Sequence, residues 1–204
     1  KISKYGIVYN FVMEKQGKKH IITISGMLGA GKSTSARRIA EELGYMHFSS
    51  GDLMRAIGKE HGIDDIRQVN FENEKDHTFD RLVDGRLQSI GIHEDEVVID
   101  SRMAWHWIPQ AFKVFLDISL DDAVPRILAS VSPERKATEH IPDDPQEYKR
   151  MLQERMDSEN RRYKALYNVD LYNLEQYDFV LNTKDRSFDD VVREVLDAYR
   201  RWLN

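Results

Sequence analysis

A glycine-rich stretch near the beginning of the sequence has the residue types and the spacing of a phosphate-binding loop. Residues 26–33 read GMLGAGKS, which fits G-x-x-x-x-G-K-[ST], and they lie between a β-branched run and a helical pattern. Glycines let backbone N–H groups turn toward a phosphate without a Cβ clash, and the following helix adds a partial positive charge. We therefore predict a site for a nucleoside triphosphate, taken as ATP, rather than a glycine-rich turn that binds nothing.

The polar side chains that follow these glycines have distinct roles in such a site. Lys32 can reach the β- and γ-phosphates and is a candidate catalytic residue. The Ser33 hydroxyl is a candidate ligand of the Mg²⁺ ion that accompanies the triphosphate. The candidate ATP-binding residues of this loop are Gly26, Met27, Leu28, Gly29, Ala30, Gly31, Lys32, Ser33 and Thr34. The motif does not say what receives the terminal phosphate.

A second group of polar residues follows the next β-branched run. Residues 50–55 read SGDLMR, where the chain passes from a predicted strand into a predicted helix. An arginine one turn into that helix can hold a second phosphate with two hydrogen bonds. The alternative is a surface helix with an aspartate cap. The candidate acceptor-binding residues of this segment are Ser50, Gly51, Asp52 and Arg55.

Asp100 and Arg102 come just after the apolar run VVI at 97–99. They lie at the carboxyl edge of the predicted sheet, which is where α/β sheets bind ligands. Asp100 is a candidate to hold a water of the Mg²⁺ shell, and Arg102 is a candidate to bind the acceptor phosphate. The alternative is a capping aspartate and a surface arginine. Two arginines that follow two strand ends, in a chain with a complete phosphate loop, favour a second phosphate site.

Three charged residues share one face of a later predicted helix. Arg155, Glu159 and Arg162 lie at i, i+4 and i+7, which places them on one side of a helix, whereas Arg161 falls on a different face. The alternative is a solvent-exposed helix with ion pairs between neighbouring turns.

Short β-branched or aromatic runs alternate with helical patterns and are expected to position these groups. The predicted strands are 21–25, 45–49, 97–100, 112–118 and 178–182. In the first helix, apolar residues from Ala36 to Leu43 form one stripe, and Gly44 is typical of a helix end. In the last helix, Ser187 and Asp190 resemble a capping signal. The alternation predicts a single α/β domain with a parallel sheet and helices on both faces. The polar segment 129–150 is either a disordered loop or a functional lid.

Four blocks of this sequence resemble nucleoside monophosphate kinases, and cytidylate kinases in particular. GMLGAGKS resembles their phosphate loop, and SGDLMR resembles the segment that closes over the acceptor nucleotide. VVIDSRMAWHWIPQAFKVFLDISLDDA is similar to the D-G-R turn and following strand of cytidylate kinases, and the adenylate kinase signature D-G-F-P-R does not occur. ERMDSENRRYKALYNVDLYNLEQYDFVLNT is similar to the lid helix and next strand of archaeal-type members. Ser101 replaces the turn glycine, and residues 129–150 match no pattern of the family.

The resemblance implies a fold and an activity. The implied fold is the three-layer P-loop NTPase fold over residues 20–204, with strand order 2-3-1-4-5 and a mobile lid at about 129–150. The implied activity is transfer of the γ-phosphoryl group of ATP, with Mg²⁺, to CMP or dCMP. The alternatives are a UMP or AMP kinase, a small-metabolite kinase, a nucleotide-dependent regulatory ATPase or switch, and a nucleotide-binding adaptor without turnover.

The resemblance also implies roles for individual residues. Arg155 and Arg162 match lid arginines that fold over the transferring group, and Glu159 falls near the acceptor nucleoside. Arg126 matches an arginine that stacks on the donor adenine, whereas the second arginine of that pattern is replaced by Ser130. No catalytic base is expected, because an acceptor phosphate is already largely ionised at neutral pH. Trp105 and Trp107 either line the acceptor-base pocket or pack in the core, and we favour the core.

Composition narrows the range of partners. The chain has 204 residues, a formal net charge of −5 and no cysteine, which excludes disulfides and thiolate metal sites. Nucleic-acid binding proteins usually carry a basic surplus, so we expect no nucleic-acid partner. No apolar run approaches the roughly 20 residues that span a bilayer. We therefore expect a soluble, cytoplasmic monomer that binds small nucleotides and no membrane.

Residues 1–19 precede the first convincing strand and are expected to be an extension of the domain. They are either a cloning-derived leader before a natural start at Met13 or a peripheral strand or arm.

Overall fold

The computed structural model describes residues 17–63 and 77–204, in which strands and helices alternate. The strands are β1 (Ile21–Gly26), β2 (Met46–Ser49), β3 (Val97–Asp100), β4 (Phe112–Asp117) and β5 (Phe179–Asn182). The helices are α1 (Lys32–Leu43), α2 (Ser50–Glu60), α3 (Thr78–His93), α4 (Ala104–Trp107), α5 (Leu120–Ser130), α6 (Pro133–Thr138), α7 (Pro145–Tyr167) and α8 (Phe188–Leu203), with a 3₁₀ turn at Leu174–Gln176. Most of the predicted extension, residues 1–16, lies outside the described residues.

The five strands form one parallel sheet in the order β2-β3-β1-β4-β5. This confirms the predicted parallel sheet and the implied strand order, and each predicted strand ends within one residue of the observed one. Every residue of the central strand β1 is buried. Ile24 of β1 is in register with Asp100 of β3, so the loop after β1 and the polar residues after β3 lie at the same edge of the sheet.

The first helix begins and ends where its sequence predicts. Gly31 precedes it with a left-handed φ of 84°, and Gly44 ends it with a φ of 71°, where the Gly44 N–H donates to the carbonyls of Ala40 and Glu41. The apolar stripe packs inward, since Ala36, Ile39 and Ala40 are buried. Because α1 is packed against the sheet along this stripe, its N-terminus is held in a fixed position at the carboxyl edge of β1.

Apolar side chains cover both faces of the sheet. One core cluster joins alternate residues of β1 and β4 to the buried faces of α1 and α8. A second cluster on the opposite face joins β1 and β3 to α2, α3 and α4. A third, smaller cluster packs α5 against α7, with Leu120, Val124, Leu152 and Met156 among its buried members. These layers hold the helices that carry the candidate site, and α7 reaches the site through both the second and third clusters.

The long polar segment 129–150 contains regular structure. It includes the end of α5, all of α6 and the first turns of α7, and it therefore does not fit the disordered-loop alternative. Ser132 caps α6 by accepting from the Arg135 N–H, and Asp144 caps α7 by accepting from the Gln146 N–H. The Ser187 cap of α8 is confirmed, because its hydroxyl accepts from the Asp190 N–H. Among the described residues, no helix has the length and apolar character that crossing a membrane requires.

Candidate active site

Most of the candidate residues surround one cavity of about 430 Å³ at the carboxyl edge of the sheet. It extends from the loop after β1 to the helices α2, α3 and α7. Fifteen predicted site residues line it: Leu28, Gly29, Gly31, Lys32, Ser33, Thr34, Ser50, Gly51, Arg55, Asp100, Arg102, Arg126, Arg155, Glu159 and Arg162. The cavity therefore joins the predicted triphosphate site to the predicted acceptor site.

Three residues of the phosphate loop do not line the cavity and instead hold the loop in shape. Gly26 has a φ of 141°, and a Cβ built on it would lie 2.1 Å from the carbonyl oxygen of Leu116, so only glycine allows this approach of β1 to β4. The Met27 N–H donates to that same carbonyl at 2.9 Å, and Ala30 is buried. These three residues therefore hold the phosphate loop against the protein interior rather than contacting the cavity.

Lys32 lies at the start of α1, where its Nζ donates to the Met27 carbonyl at 2.7 Å. The pKa of Lys32 is lowered from 10.5 to about 7, mainly by burial and also by the positive charges of Arg102 and Arg155, against the opposing effect of Asp100. In the free protein this ammonium therefore carries less charge than a surface lysine. A polyanion in the cavity would restore its charge.

Ser33 and Asp100, the two candidate residues for the Mg²⁺ site, are in contact, since the Ser33 hydroxyl donates to Asp100 Oδ2. Mg²⁺ prefers oxygen ligands and is held by one or two protein groups together with water and substrate phosphates. A hydroxyl and a carboxylate in contact beside the phosphate loop fit that donor set. Among the described residues, no cluster of three or more acidic, histidine or cysteine side chains forms a separate metal site.

Only some of the candidate residues in the SGDLMR segment line the cavity. Ser50 and Gly51 line it at the start of α2, and Arg55 lines it with a side chain that is 53% exposed. Asp52 does not line it. The Asp52 carboxylate instead accepts a hydrogen bond from Arg55 and lies 3.5 Å from Nη2 of Arg37, and the observed helix cap is Ser49. Asp52 therefore orients an arginine of the cavity and is placed less directly than the prediction implied.

Glu159 is a buried carboxylate that holds two arginines of the cavity. Its Oε1 accepts from Nε of Arg155 at 3.0 Å, and its Oε2 contacts Nη1 of Arg102. Burial lowers the pKa of Arg155 to about 10, with Arg102 adding to the effect, and burial also lowers the pKa of Arg102. The shared helix face predicted from the sequence is confirmed, and it points into the cavity, which does not fit the alternative of a solvent-exposed helix.

Arg162 lies on the same face of α7 and pairs with an aspartate of α3. Its Nε is 2.8 Å from Oδ2 of Asp80, and its guanidinium lies over the ring of Tyr163. Among the described residues, Nη1 of Arg162 is buried and has no hydrogen-bond partner. A buried donor of this kind fits an anionic ligand in the cavity. Arg161 is exposed, as its predicted position on another face requires.

Arg126 links α5 to the end of the sheet. Its guanidinium donates to the Thr183 hydroxyl at 3.2 Å and to the carbonyls of Thr183 and Lys184 at 2.7 and 2.9 Å. Arg126 thus lines the cavity beside the segment that follows β5, on the side of the phosphate loop. Ser130 also lines the cavity, and its hydroxyl donates back to the Arg126 carbonyl at 2.9 Å.

Ser101 and the two tryptophans near it have structural roles. Ser101 fits its turn, because its hydroxyl accepts from the Met103 N–H at 3.2 Å and its φ is not in the left-handed region that favours glycine. Trp105 belongs to the core cluster under β3 and donates to the Arg102 carbonyl at 2.8 Å. Trp107 packs against the same cluster. The core interpretation of the two tryptophans is therefore confirmed.

Several cavity residues have no counterpart among the predicted site residues. Asp84 of α3 lines the cavity, and Asp80, on the same helix, holds Arg162. Arg135 and Glu139 line it from α6 and its C-terminal end, and they form an ion pair with Nε and Oε1 at 3.0 Å. The signal that would have found the aspartates is their i, i+4 spacing, which was available in the sequence but is also typical of a solvent-exposed helix.

Comparison with known proteins places this site in a family. The sequence matches the model of the cytidylate kinase-like family over residues 21–185. The cytidylate kinase of Natronomonas pharaonis is 35% identical over 184 residues, which cover 88% of this chain and 90% of that protein. The cytidylate kinase of Haloarcula marismortui is 35% identical over 166 residues, 80% of each chain. A longer protein, the S-adenosylmethionine-dependent nucleotide dehydratase of Lacinutrix mariniflava, is 30% identical over 88% of this chain and 36% of its own length.

Solved structures show the same fold at low identity. Shikimate kinase from Acinetobacter baumannii, in complex with shikimate, has a TM-score of 0.58 at 18% identity, with 90% of this chain and 94% of that chain covered. A gluconokinase from Sinorhizobium meliloti has a TM-score of 0.54 at 17% identity, with 92% and 95% covered. These structures show the fold, whereas the family model and the relatives at 35% identity show the family: the chain belongs to the cytidylate kinase-like family of nucleoside monophosphate kinases.

Proposed function

We propose that this protein transfers the γ-phosphoryl group of ATP to CMP or dCMP, giving ADP and CDP or dCDP. The observation that carries the proposal is the single cavity in which the phosphate loop faces a cluster of arginines. Lys32 and the N-terminus of α1 bind the donor phosphates, and Arg55 and Arg102 bind the acceptor phosphate. The cytidylate kinases among the relatives support the choice of a cytidine nucleotide.

The chemistry requires two polyanions to meet in line. An oxygen of the acceptor phosphate forms a bond to the γ-phosphorus, while the bond to the β–γ bridging oxygen breaks and its electron pair leaves with ADP. Arg155 and Arg162, on one face of α7, offset the negative charge on the transferring oxygens. Since the acceptor phosphate is already ionised, the residues have to orient and shield charge rather than remove a proton.

Ser33 and Asp100 would hold the Mg²⁺ that accompanies ATP. When bound, the ion neutralises charge on the β- and γ-phosphate oxygens. Both residues lie at the carboxyl edge beside Lys32, so they can serve one ion. In this proposal the Ser33 hydroxyl ligates the ion directly, and the Asp100 carboxylate contacts it through a water molecule.

The arginines are held by acids until nucleotides replace those contacts. Glu159 holds Arg102 and Arg155, and Asp80 holds Arg162. These ion pairs keep the guanidinium groups ordered in the cavity, where unpaired buried cations would be costly. Phosphate oxygens then add to this network or take over part of it.

The segment 129–150 acts as the lid in this proposal. Its helix α6 ends beside the cavity, and Arg135 and Glu139 line it. Closure of such a segment excludes water, which otherwise competes with the acceptor for the phosphoryl group. Arg135 supplies a further cation to the cavity, in which Ser130 stands in place of the second arginine of the family pattern.

The rival functions differ in what they require of the arginines. A nucleotide-binding adaptor needs no cluster of buried arginines opposite the phosphate loop. A regulatory ATPase uses water as the acceptor and needs no second phosphate site. The fold alone is shared with kinases of small metabolites, so the fold does not separate them from nucleotide kinases.

An acceptor panel tests the proposal. The protein is incubated with MgATP and, separately, with CMP, dCMP, UMP, AMP and GMP, and the nucleotide products are separated and quantified. We expect CDP and dCDP to form much faster than inorganic phosphate is released without an acceptor. Faster turnover with UMP or AMP would show that the protein is a UMP or AMP kinase instead. Phosphate release that does not depend on an acceptor would show that it is a regulatory ATPase or switch.

A further inference from the structure

Asp84 is a buried acid in the wall of the cavity that the proposed transfer does not use. It lies on α3, is 4% exposed and lines the same cavity as the arginines. Its helix packs in one core cluster with α2, the helix that carries Arg55, so Asp84 adjoins the acceptor side of the site rather than the phosphate loop. No lysine or arginine of the described chain forms a salt bridge with Asp84.

The surroundings of Asp84 are apolar. Val83 and Leu87 of α3, Met54 of α2, Met103 after β3 and Tyr163 of α7 line the cavity with it. All five are less than a tenth exposed. Apolar walls with one placed polar group are the usual composition of a site for a flat ring, where the polar group fixes the orientation and the identity of the ligand.

Two donors from other elements fix the Asp84 carboxyl in place. The Tyr167 hydroxyl donates to Oδ2 at 2.5 Å, and Trp107 Nε1 donates to Oδ1 at 2.9 Å. Each carboxylate oxygen has two acceptor positions, so one position on each oxygen remains for a ligand. A carboxylate that is held rigidly and still has free acceptor positions is suited to read a hydrogen-bond donor.

Ionised Asp84 lowers the stability of the free protein. Burial raises the pKa of the Asp84 carboxyl from 3.8 to about 6, against the hydrogen bonds from Tyr167 and Trp107, which lower it. The folded state therefore binds a proton more readily than the unfolded chain between these values, and the stability from this group is lost as the pH rises through them. The position of this acid in the wall of the cavity, fixed by Tyr167 and Trp107, is the observation that points to a role in binding.

We propose that Asp84 reads the base of the acceptor nucleotide, accepting a hydrogen bond from an exocyclic amino group and thereby selecting cytosine over uracil. The inference rests on the proposed function in that it takes the acceptor to be a pyrimidine nucleotide. A carboxylate accepts from the N4 amino group of cytosine. Uracil presents a carbonyl oxygen at the same position, which a carboxylate repels.

The test is the Asp84→Asn variant, with CMP and UMP compared as acceptors at saturating MgATP. An amide retains the size and the contact to Trp107, but it also presents an N–H₂ donor that suits the uracil carbonyl. We expect the ratio of kcat/KM for CMP to that for UMP to fall by about 10- to 100-fold, the discrimination that one good polar base contact supplies. The control Asp197→Asn makes the same change on an exposed acid of α8 and should leave the ratio unchanged.

Two further measurements separate base recognition from a structural role. Tyr167→Phe removes one of the donors that position Asp84, so the ratio should fall less than in Asp84→Asn but in the same direction. Urea unfolding should show that Asp84→Asn is at least as stable as the original protein at neutral pH, because the buried charge is removed. Equal losses with CMP and UMP, or an unchanged ratio in a folded variant, would overturn the inference.

A binding measurement without ATP tests the role of Asp84 separately from the proposed phosphoryl transfer. The affinities of CMP and UMP are measured by calorimetry in the absence of ATP, with the original protein and with Asp84→Asn. If the protein prefers CMP and the variant loses that preference, Asp84 reads the base even where no phosphoryl transfer is detected. If transfer to CMP occurs but neither binding nor turnover shows a preference that depends on Asp84, the inference fails and the proposed function stands.

Discussion

Arg162 and Asp80 form an ion pair inside the protein, with 2.8 Å between Nε and Oδ2 and with only 5% and 0% of their side chains exposed. The pair joins α7 to α3 at the wall of the cavity. Removing one member of a buried pair leaves the other charge uncompensated, which typically costs about 3–5 kcal/mol of unfolding free energy. The pair therefore couples the stability of the fold to the geometry of the site.

The variant Arg162→Ala should lose about 3–5 kcal/mol of stability and nearly all phosphoryl transfer. The double variant with Asp80→Asn and Arg162→Leu should recover much of the stability, because no unpaired charge remains, but should not recover activity. Urea unfolding and product chromatography measure the two effects. Wild-type turnover in the double variant would show that Arg162 has no part in catalysis.

Arg102→Ala should weaken binding of the acceptor and leave binding of ATP largely unchanged. Hydrogen bonds to charged groups contribute about 1.5–3 kcal/mol, so we expect the acceptor affinity to fall on the order of 10- to 100-fold. Calorimetric titration with CMP and with ATP measures both. Arg161→Ala removes an exposed arginine from the other face of α7 and should change neither affinity. If Arg102→Ala reduces ATP affinity as much as acceptor affinity, its assigned role is wrong.

ATP binding should take up a proton at about pH 8, because Lys32 is then mostly neutral in the free protein, with a pKa of about 7, and becomes charged beside the phosphates. The heat of binding should therefore depend on the ionisation enthalpy of the buffer, and ATP affinity should weaken as the pH rises above about 7. Lys164→Met, on the exposed face of α7, should leave the proton uptake intact. Heats that are the same in all buffers would contradict the prediction.

The same lysine should affect stability in the free protein. The unfolded chain binds more protons at Lys32 than the folded protein between pH values of about 7 and 10.5, so the free energy of unfolding should rise with pH across that window. Lys32→Met should remove this contribution. Unfolding by urea at several pH values compares the two slopes, and equal slopes would show that the pKa of Lys32 is not lowered.

Gly26→Ala should destabilise the fold more than Gly44→Ala. Both glycines have positive φ, which costs a residue with a Cβ roughly 1–2 kcal/mol. Only at Gly26 does the added Cβ also meet backbone, 2.1 Å from the Leu116 oxygen, whereas nothing lies within 4 Å at Gly44. Urea unfolding of the two variants measures the difference. Equal losses would mean that the clash with β4 is relieved elsewhere.

The sequence predicted the parts of this protein that local pattern determines. The five strands, the phosphate loop and the caps at Gly44 and Ser187 each depend on a few neighbouring residues, and the structure has all of them. The face shared by Arg155, Glu159 and Arg162 was predicted because helical periodicity alone defines it.

The sequence did not predict the side of the cavity that α3 forms. Asp80 and Asp84 lie in the segment TFDRLVDGRLQ, where neighbouring arginines make the acids resemble a solvent-exposed face. Their burial depends on packing of α3 against α7 and α4, which brings Tyr163, Tyr167 and Trp107 over them. Such contacts join residues far apart in the chain, and no short motif records them.

The measurement that tests the central claim most directly is the ratio of CDP formed to ATP consumed when the protein is given MgATP and CMP. Each transfer converts one ATP and one CMP into one ADP and one CDP, so the proposed function predicts a ratio close to one and little free phosphate. Consumption of ATP with phosphate release and no CDP would contradict it, because the cavity would then deliver the phosphoryl group to water.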